Sequence, residues 1–305
     1  MNLFVDSLKI TSDVVVVKPN WVDGRDGTHT DAKILDMLLT SLARKVIIVE
    51  SYSYWRTQGV RLHGKHEFPL NEGNSETGKK HWDFFKEQDK LFLESEGLFE
   101  VLKRHRAEYL NITNEIWQGH TADPAQIKEI TENKYEPVHI LDMYKNVPQK
   151  LLDIRGSDFI SFSKAKKDST YGASLSIKNI FGLIPDPTRY EKYHGGDPEL
   201  LLCQSIVDIN KIYQSLFNIT FVVEGVYEGC LMDWDTGQSF PFYDWGIIGG
   251  GRDGLEVDSI FCKLLGSDFK AALSNLKNLY KENFGGKEIV DIKSVPEEYF
   301  QREGN

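Results

Sequence analysis

Residues 14–50, VVVVKPNWVDGRDGTHTDAKILDMLLTSLARKVIIVE, decide the fold. Val14 to Val17 are β-branched and uniformly apolar, so they read as a strand covered on both faces, as in a parallel sheet. Pro19 cannot donate to a ladder, which places Lys18 and Asn20 where the chain leaves that sheet. A turn-rich segment runs from Asp23 to His29. Thr30 or Asp31 then caps a helix whose Ile34, Leu35, Leu38, Leu39 and Leu42 recur at helical spacing. Lys45 to Glu50 returns to a buried strand, completing a βαβ crossover of the hand that such units nearly always take.

Ligands of open α/β sheets collect outside the carboxyl ends of the strands, and Lys18, Asn20 and Glu50 stand at such ends. The turn carries Gly24 and Gly27 but no GxGxxG, and GxxxxGK[ST] occurs nowhere in the chain. Neither the dinucleotide fingerprint nor the phosphate loop is present.

The second informative stretch is 159–194, FISFSKAKKDSTYGASLSIKNIFGLIPDPTRYEKYH. A short apolar strand delivers Lys164, Lys166 and Lys167, and Ser174, Lys178, Asn179, Arg189, Lys192 and His194 follow. Lys164 and Lys166 alternate along extended chain and so point to one side. Ser174 and Lys178 are four apart and would share the face of a helix. Further on, residues 198–216 read as a helix opened by Pro198 after Asp197. Residues 219–223 form a buried strand ending in Glu224, and 245–248 a strand ending in Gly249, Gly250, Gly251, Arg252 and Asp253. Three glycines there would let backbone amides approach a ligand.

Composition bounds the rest. The 305 residues carry a net charge of −10, with 40% hydrophobic and 12% aromatic residues. That is enough apolar surface for a core and the wrong sign for phosphate backbones or anionic lipid, so nucleic acid and membrane are not expected partners. Cys203, Cys230 and Cys262 show no metal-binding spacing and read as thiols in a reducing cytosol. No basic leader and no apolar run of membrane length appear, which points to the cytoplasm. The expected architecture is α/β: a mostly parallel sheet built from βαβ units with flanking helices, plus a helical and loop insertion. Residues 1–51 make the N-terminal part of that core and 151–295 the C-terminal, lysine-rich part. Residues 52–150 are an insertion that reads as a lid or small subdomain, and 296–305 an exposed tail.

The chain resembles the uncharacterised DUF362 domain family over residues 13–266. The matching segments are VVVVKPNW, HTDAKILDMLL, VIIVE, FISFSKAKK, SLSIKNIFGLIP, the later His194, FVVEGVYEG and GGGRDGLEVDSIFCKLLG, of which SLSIKNIFGLIP is the most specific. The resemblance implies a soluble α/β fold. Many relatives add ferredoxin-type cysteine motifs, which this chain lacks. The family pattern also tends to place a histidine just after the first clustered lysine, where this chain has Lys166, Lys167 and Asp168.

These readings converge on a site for a small anion. His29, Lys164, Lys178 and His194 are the candidate catalytic residues. Lys18, Asn20, Glu50, Lys166, Ser174, Asn179, Arg252 and Asp253 are the candidate substrate-binding residues. The expected function is an enzyme without redox cofactor, its lysines stabilising developing negative charge in an elimination, cyclisation or transfer step. No metal ligand set is assigned. A divalent metal stays open through His29 with a carboxylate, or through His63, His66 and His81, although no HxH or HExxH spacing occurs. Two other classes stay open: a non-catalytic ligand-binding or scaffold subunit docking a partner protein or a second copy, and a redox protein related to iron–sulfur relatives.

Overall fold

The computed structural model describes residues 1–25, 27–53, 56, 79–168, 172–186, 188–193, 198–226, 229–233, 238–243, 246–266 and 271–289. Ten strands are present among them. They are β1 (Val14–Lys18), β2 (Lys45–Glu50), β3 (Glu108–Asn111), β4 (Asp158–Lys164), β5 (Lys166–Asp168), β6 (Gly172–Ser174), β7 (Asn218–Gly225), β8 (Gly229–Asp233), β9 (Gln238–Tyr243) and β10 (Ile247–Gly251).

Six of them make the central sheet, in the order β10-β7-β4-β1-β2-β3. All its pairings are parallel except β10 with β7, and helices cover both faces, so the architecture is α/β. The valine run behaves as its chemistry requires. Val15 and Val17 pack on one face with Ile34, Leu35 and Leu38 of the Ala32–Leu42 helix, while Val16 joins Phe159, Phe221 and the Cys203–Leu216 helix on the other. Each such fully buried side chain is worth about 1.5–3 kcal/mol of apolar transfer. Asp31 caps the Ala32–Leu42 helix by accepting from the Ile34 amide at 2.9 Å. Residues 79–150 supply β3 at the sheet edge and helices to both layers: Phe92 and Leu98 on the first face, Ile127 and Met143 on the second.

The chain leaves β1 for β2 and β3 on one side, then crosses back to lay β4 and β7 on the other. The strand order therefore reverses between β1 and β4, and that is where such folds open a crevice at the carboxyl edge. A second sheet, ordered β6-β5-β8-β9, grows out of the first. Only Ala165 separates β4 from β5.

Two expectations are corrected by the sheet. The strand expected at 245–248 is Ile247–Gly251, so the glycines lie inside it. They admit packing: a Cβ on Gly249 would come within 2.8 Å of the Phe261 ring, and one on Gly250 within 2.9 Å of the Phe221 carbonyl. Ser174 and Lys178 share no helix, because Ser174 belongs to β6, opposite Lys166, while the helical turn begins at Ser176. Cys203 and Cys262 are buried free thiols. Among the described residues no helix is long and apolar enough to cross a membrane.

Candidate functional site

Four neighbouring strands, β7, β4, β1 and β2, carry Glu224, Lys164, Lys18 and Glu50 at their carboxyl ends, Glu224 one residue before the last of β7. The reversal point thus carries two lysines flanked by two glutamates, and all four are buried. Lys18 Nζ donates to Glu50 Oε2 at 2.6 Å and to the Pro19 carbonyl at 2.7 Å, with Asn179 Oδ1 at 3.4 Å. Glu50 Oε2 also accepts from the Trp21 amide and Oε1 from the Ser51 amide. Burial lowers the Lys18 ammonium from its ordinary 10.5 to about 8, against the pull of Glu50 and with the help of the nearby Arg189 and Arg56 guanidinium groups.

The other pair is less complete. Lys164 Nζ lies 3.1 Å from Glu224 Oε1 and 3.8 Å from Asp31 Oδ2. Glu224 Oε1 has no hydrogen-bond partner among the described residues. Among the described residues, Glu224 Oε2 accepts from the Val226 amide, at 3.2 Å. Burial raises the Glu224 carboxyl from 4.5 to about 7, opposed by Lys164 and reinforced by Asp31.

An amide bridge joins the first pair to Lys166. Lys166 Nζ donates to Asn20 Oδ1 at 2.6 Å and to the Thr28 carbonyl at 2.9 Å. Asn20 Nδ2 donates to Asn179 Oδ1 at 3.1 Å, and Asn179 Nδ2 donates to the Lys18 carbonyl and to Ser161 Oγ. Lys18, Asn20, Glu50, Lys166 and Asn179, separated by up to 161 positions, therefore meet in one network.

Other candidates fall elsewhere. The His29 ring accepts or donates at the Arg25 carbonyl through Nδ1, faces Glu96 at 3.4 Å through Nε2 and packs on Phe92. Its backbone neighbour Thr28 touches Lys166, while the ring turns into the helical layer. Lys178 is half-buried on the Ser176–Asn179 turn. Arg252 and Asp253 belong to the opposite edge: Arg252 pairs with Asp158 at 2.9 Å and donates to the Asn218 carbonyl, and Asp253 caps the Gly254–Leu264 helix. Their placement follows from the direction of β10, which runs against β7 and so ends where the parallel strands begin. His194, like His63 and His66, lies outside the described residues. His81 is at the start of the Trp82–Ser95 helix. Among the described residues no group of three His, Cys, Asp or Glu side chains is placed to hold a metal ion.

Four residues join the site that sequence reasoning had not assigned to it. Glu224 completes the row of strand ends, and the only local signal is its position after a buried strand. Gly182 lies so close to the first pair that a Cβ there would sit 2.9 Å from Lys18 Nζ and 3.2 Å from Glu50 Oε1; its signal is the glycine inside SLSIKNIFGLIP. Buried Arg189 acts on Lys18 through its charge. Asp258 holds the Ser176–Asn179 turn from behind, accepting from the Ser176 and Ile177 amides.

A family model described as Domain of unknown function (DUF362) matches residues 15–263. No curated protein and no solved structure matches the chain.

Proposed function

The chain belongs to the DUF362 family, and from that premise we propose that it is a cytosolic enzyme acting on a small metabolite that bears a phosphate, sulfate or carboxylate. The observation that carries this reading is the unfinished pair. Lys164 is only 1% exposed, and the Glu224 oxygen that faces its ammonium at 3.1 Å has no hydrogen-bond partner among the described residues. A buried ammonium has three donors to satisfy, and an anionic group is a partner suited to them.

In this reading Lys164 anchors the anion and neutralises charge that develops on it during an elimination, cyclisation or transfer step. Lys166 and Lys18 add positive charge on the same edge, where a low effective dielectric makes it count for more than in water. Glu224, held up to about 7, is the group suited to take or return a proton near neutral pH. Lys18, brought down to about 8, is the second group that changes charge near neutrality.

The test is thermal unfolding of the full chain with phosphate, sulfate, phosphorylated metabolites and small carboxylates, for the wild type, Lys164→Met and Arg252→Ala. A ligand at a hundred times its dissociation constant stabilises the folded state by about 2.7 kcal/mol. Stabilisation that Lys164→Met loses and Arg252→Ala keeps supports the reading and selects the ligand class for turnover assays. Equal stabilisation in all three proteins, or none in any, overturns it.

A further inference from the structure

The Ser176–Asn179 turn is gripped from two sides. From the front, Asn179 bonds to Asn20, Lys18 and Ser161, and the backbone of Gly182 lies against Lys18 and Glu50. From behind, Asp258 Oδ1 accepts from the Ser176 amide at 2.9 Å and from the Ser176 hydroxyl, while Oδ2 accepts from the Ile177 amide at 3.0 Å. Asn210 adds a bond from Nδ2 to the Ile177 carbonyl at 3.1 Å.

Asp258 is 7% exposed and has no ion-pair partner among the described residues. Burial raises its carboxyl from 3.8 to about 6, so it stays ionised at pH 7 only through its three donors. A short turn is ordinarily capped by a Ser, Asn or Asp next to it in sequence. Here the cap comes from the Gly254–Leu264 helix, some eighty positions away, and it costs a buried charge.

We infer that Asp258 is a positioning residue of the carboxyl-edge site: by fixing the Ser176–Asn179 turn, it sets how closely Asn179 and Gly182 close over the Lys18 amine. The inference rests on reading that edge as the functional site. It makes the back layer of the fold part of the machinery that keeps water from Lys18. Without the carboxylate the turn loses three bonds, the amide of Asn179 and the backbone of Gly182 draw back, and Lys18 regains hydration.

The experiment follows the titration of Lys18 itself. Full-length protein labelled with 13C-lysine gives a Cε signal for Lys18, assigned by its absence in Lys18→Met. In Asp258→Asn that titration moves up by about one unit or more towards the ordinary lysine value, because desolvation is what lowers it. Asp158→Asn is the control. Asp158 is a buried carboxylate at the opposite edge that binds the Thr11 and Ser12 amides and Arg252, so its loss lowers stability and leaves Lys18 in place. A folded Asp258→Asn protein with the wild-type Lys18 titration, or an equal shift in Asp158→Asn, overturns the inference. Should Asp258→Asn not fold, Ser176→Ala removes one of the three donors and is judged by the same two outcomes with a smaller shift. Anions play no part in this readout. A Lys18 shift without anion binding would keep the positioning role and remove the proposed function.

Discussion

Lys18–Glu50 and Lys164–Glu224 are built from the same two residue types at the ends of four adjacent strands, and they are finished differently. In the first, two peptide amides join the lysine in holding the glutamate, so the carboxylate is fully served and the strain of burial falls on the lysine. In the second, one peptide amide reaches the glutamate, Asp31 adds a like charge nearby, and burial shows on the carboxyl instead. The contrast teaches that two pairs of the same composition differ in how many backbone donors reach the glutamate. It also separates a pair closed by backbone donors from one that keeps a carboxylate oxygen without a hydrogen-bond partner among the described residues.

The largest way to break this comparison is to truncate each glutamate. Glu50→Ala strands a buried ammonium and two amides, and urea unfolding should show a loss of about 3–5 kcal/mol. Glu224→Ala should cost less, because Asp31 remains near Lys164. Equal losses would remove the distinction between closed and open.

Stability against pH sharpens it next. Between pH 4.5 and 7 the folded chain keeps a proton on Glu224 that the unfolded chain releases, so stability falls as pH rises through that window. Glu224→Gln should abolish this component, on the order of 3 kcal/mol at most. Lys18 acts with the opposite sign: between about 8 and 10.5 the folded chain is the first to release its proton, so stability rises with pH there, and Lys18→Met should flatten that rise. Slopes of the same sign in both windows would contradict the assignment of the two carriers.

Asn179→Ala tests the bridge from the Lys18–Glu50 pair to Asn20 and Lys166. It leaves Asn20 Nδ2 without its acceptor and should cost about 1–3 kcal/mol in denaturant unfolding. The smallest effect belongs to the far edge, where Arg252→Ala breaks a half-exposed pair with Asp158. Its cost should stay within about 1 kcal/mol, and Lys18 should titrate as before.

How far the site was legible depended on the range of the signal. The valine run, the leucine spacing and the second apolar strand in residues 14–50 are local, and they suffice for a βαβ unit and its strand ends. The strand-end rule then gathers Lys18, Asn20 and Glu50 by topology, and Lys166 and Asn179 meet them there. Direction is not local. Nothing in GGGRD tells that β10 runs against its neighbour, which is why Arg252 and Asp253 stand at the wrong edge for the site. Spacing misleads for Ser174 and Lys178 because Gly172, at φ 89°, starts β6 and keeps Ser174 in a strand. Asp258 lies within its own helix, and that it caps another turn follows only from the packing of two layers.

Ala165 carries a consequence for inheritance. It is the one residue between β4 and β5, with Lys164 facing Glu224 before it and Lys166 facing Asn20 after it. In extended chain, adding or removing one position turns every later side chain to the other side, so a single inserted codon here would carry Lys166 away from Asn20 and Thr28. Ala165 is itself fully buried in the core, so both the length and the size of this joint are fixed. In any descendant that keeps this site, the gap between those two lysines stays one residue wide.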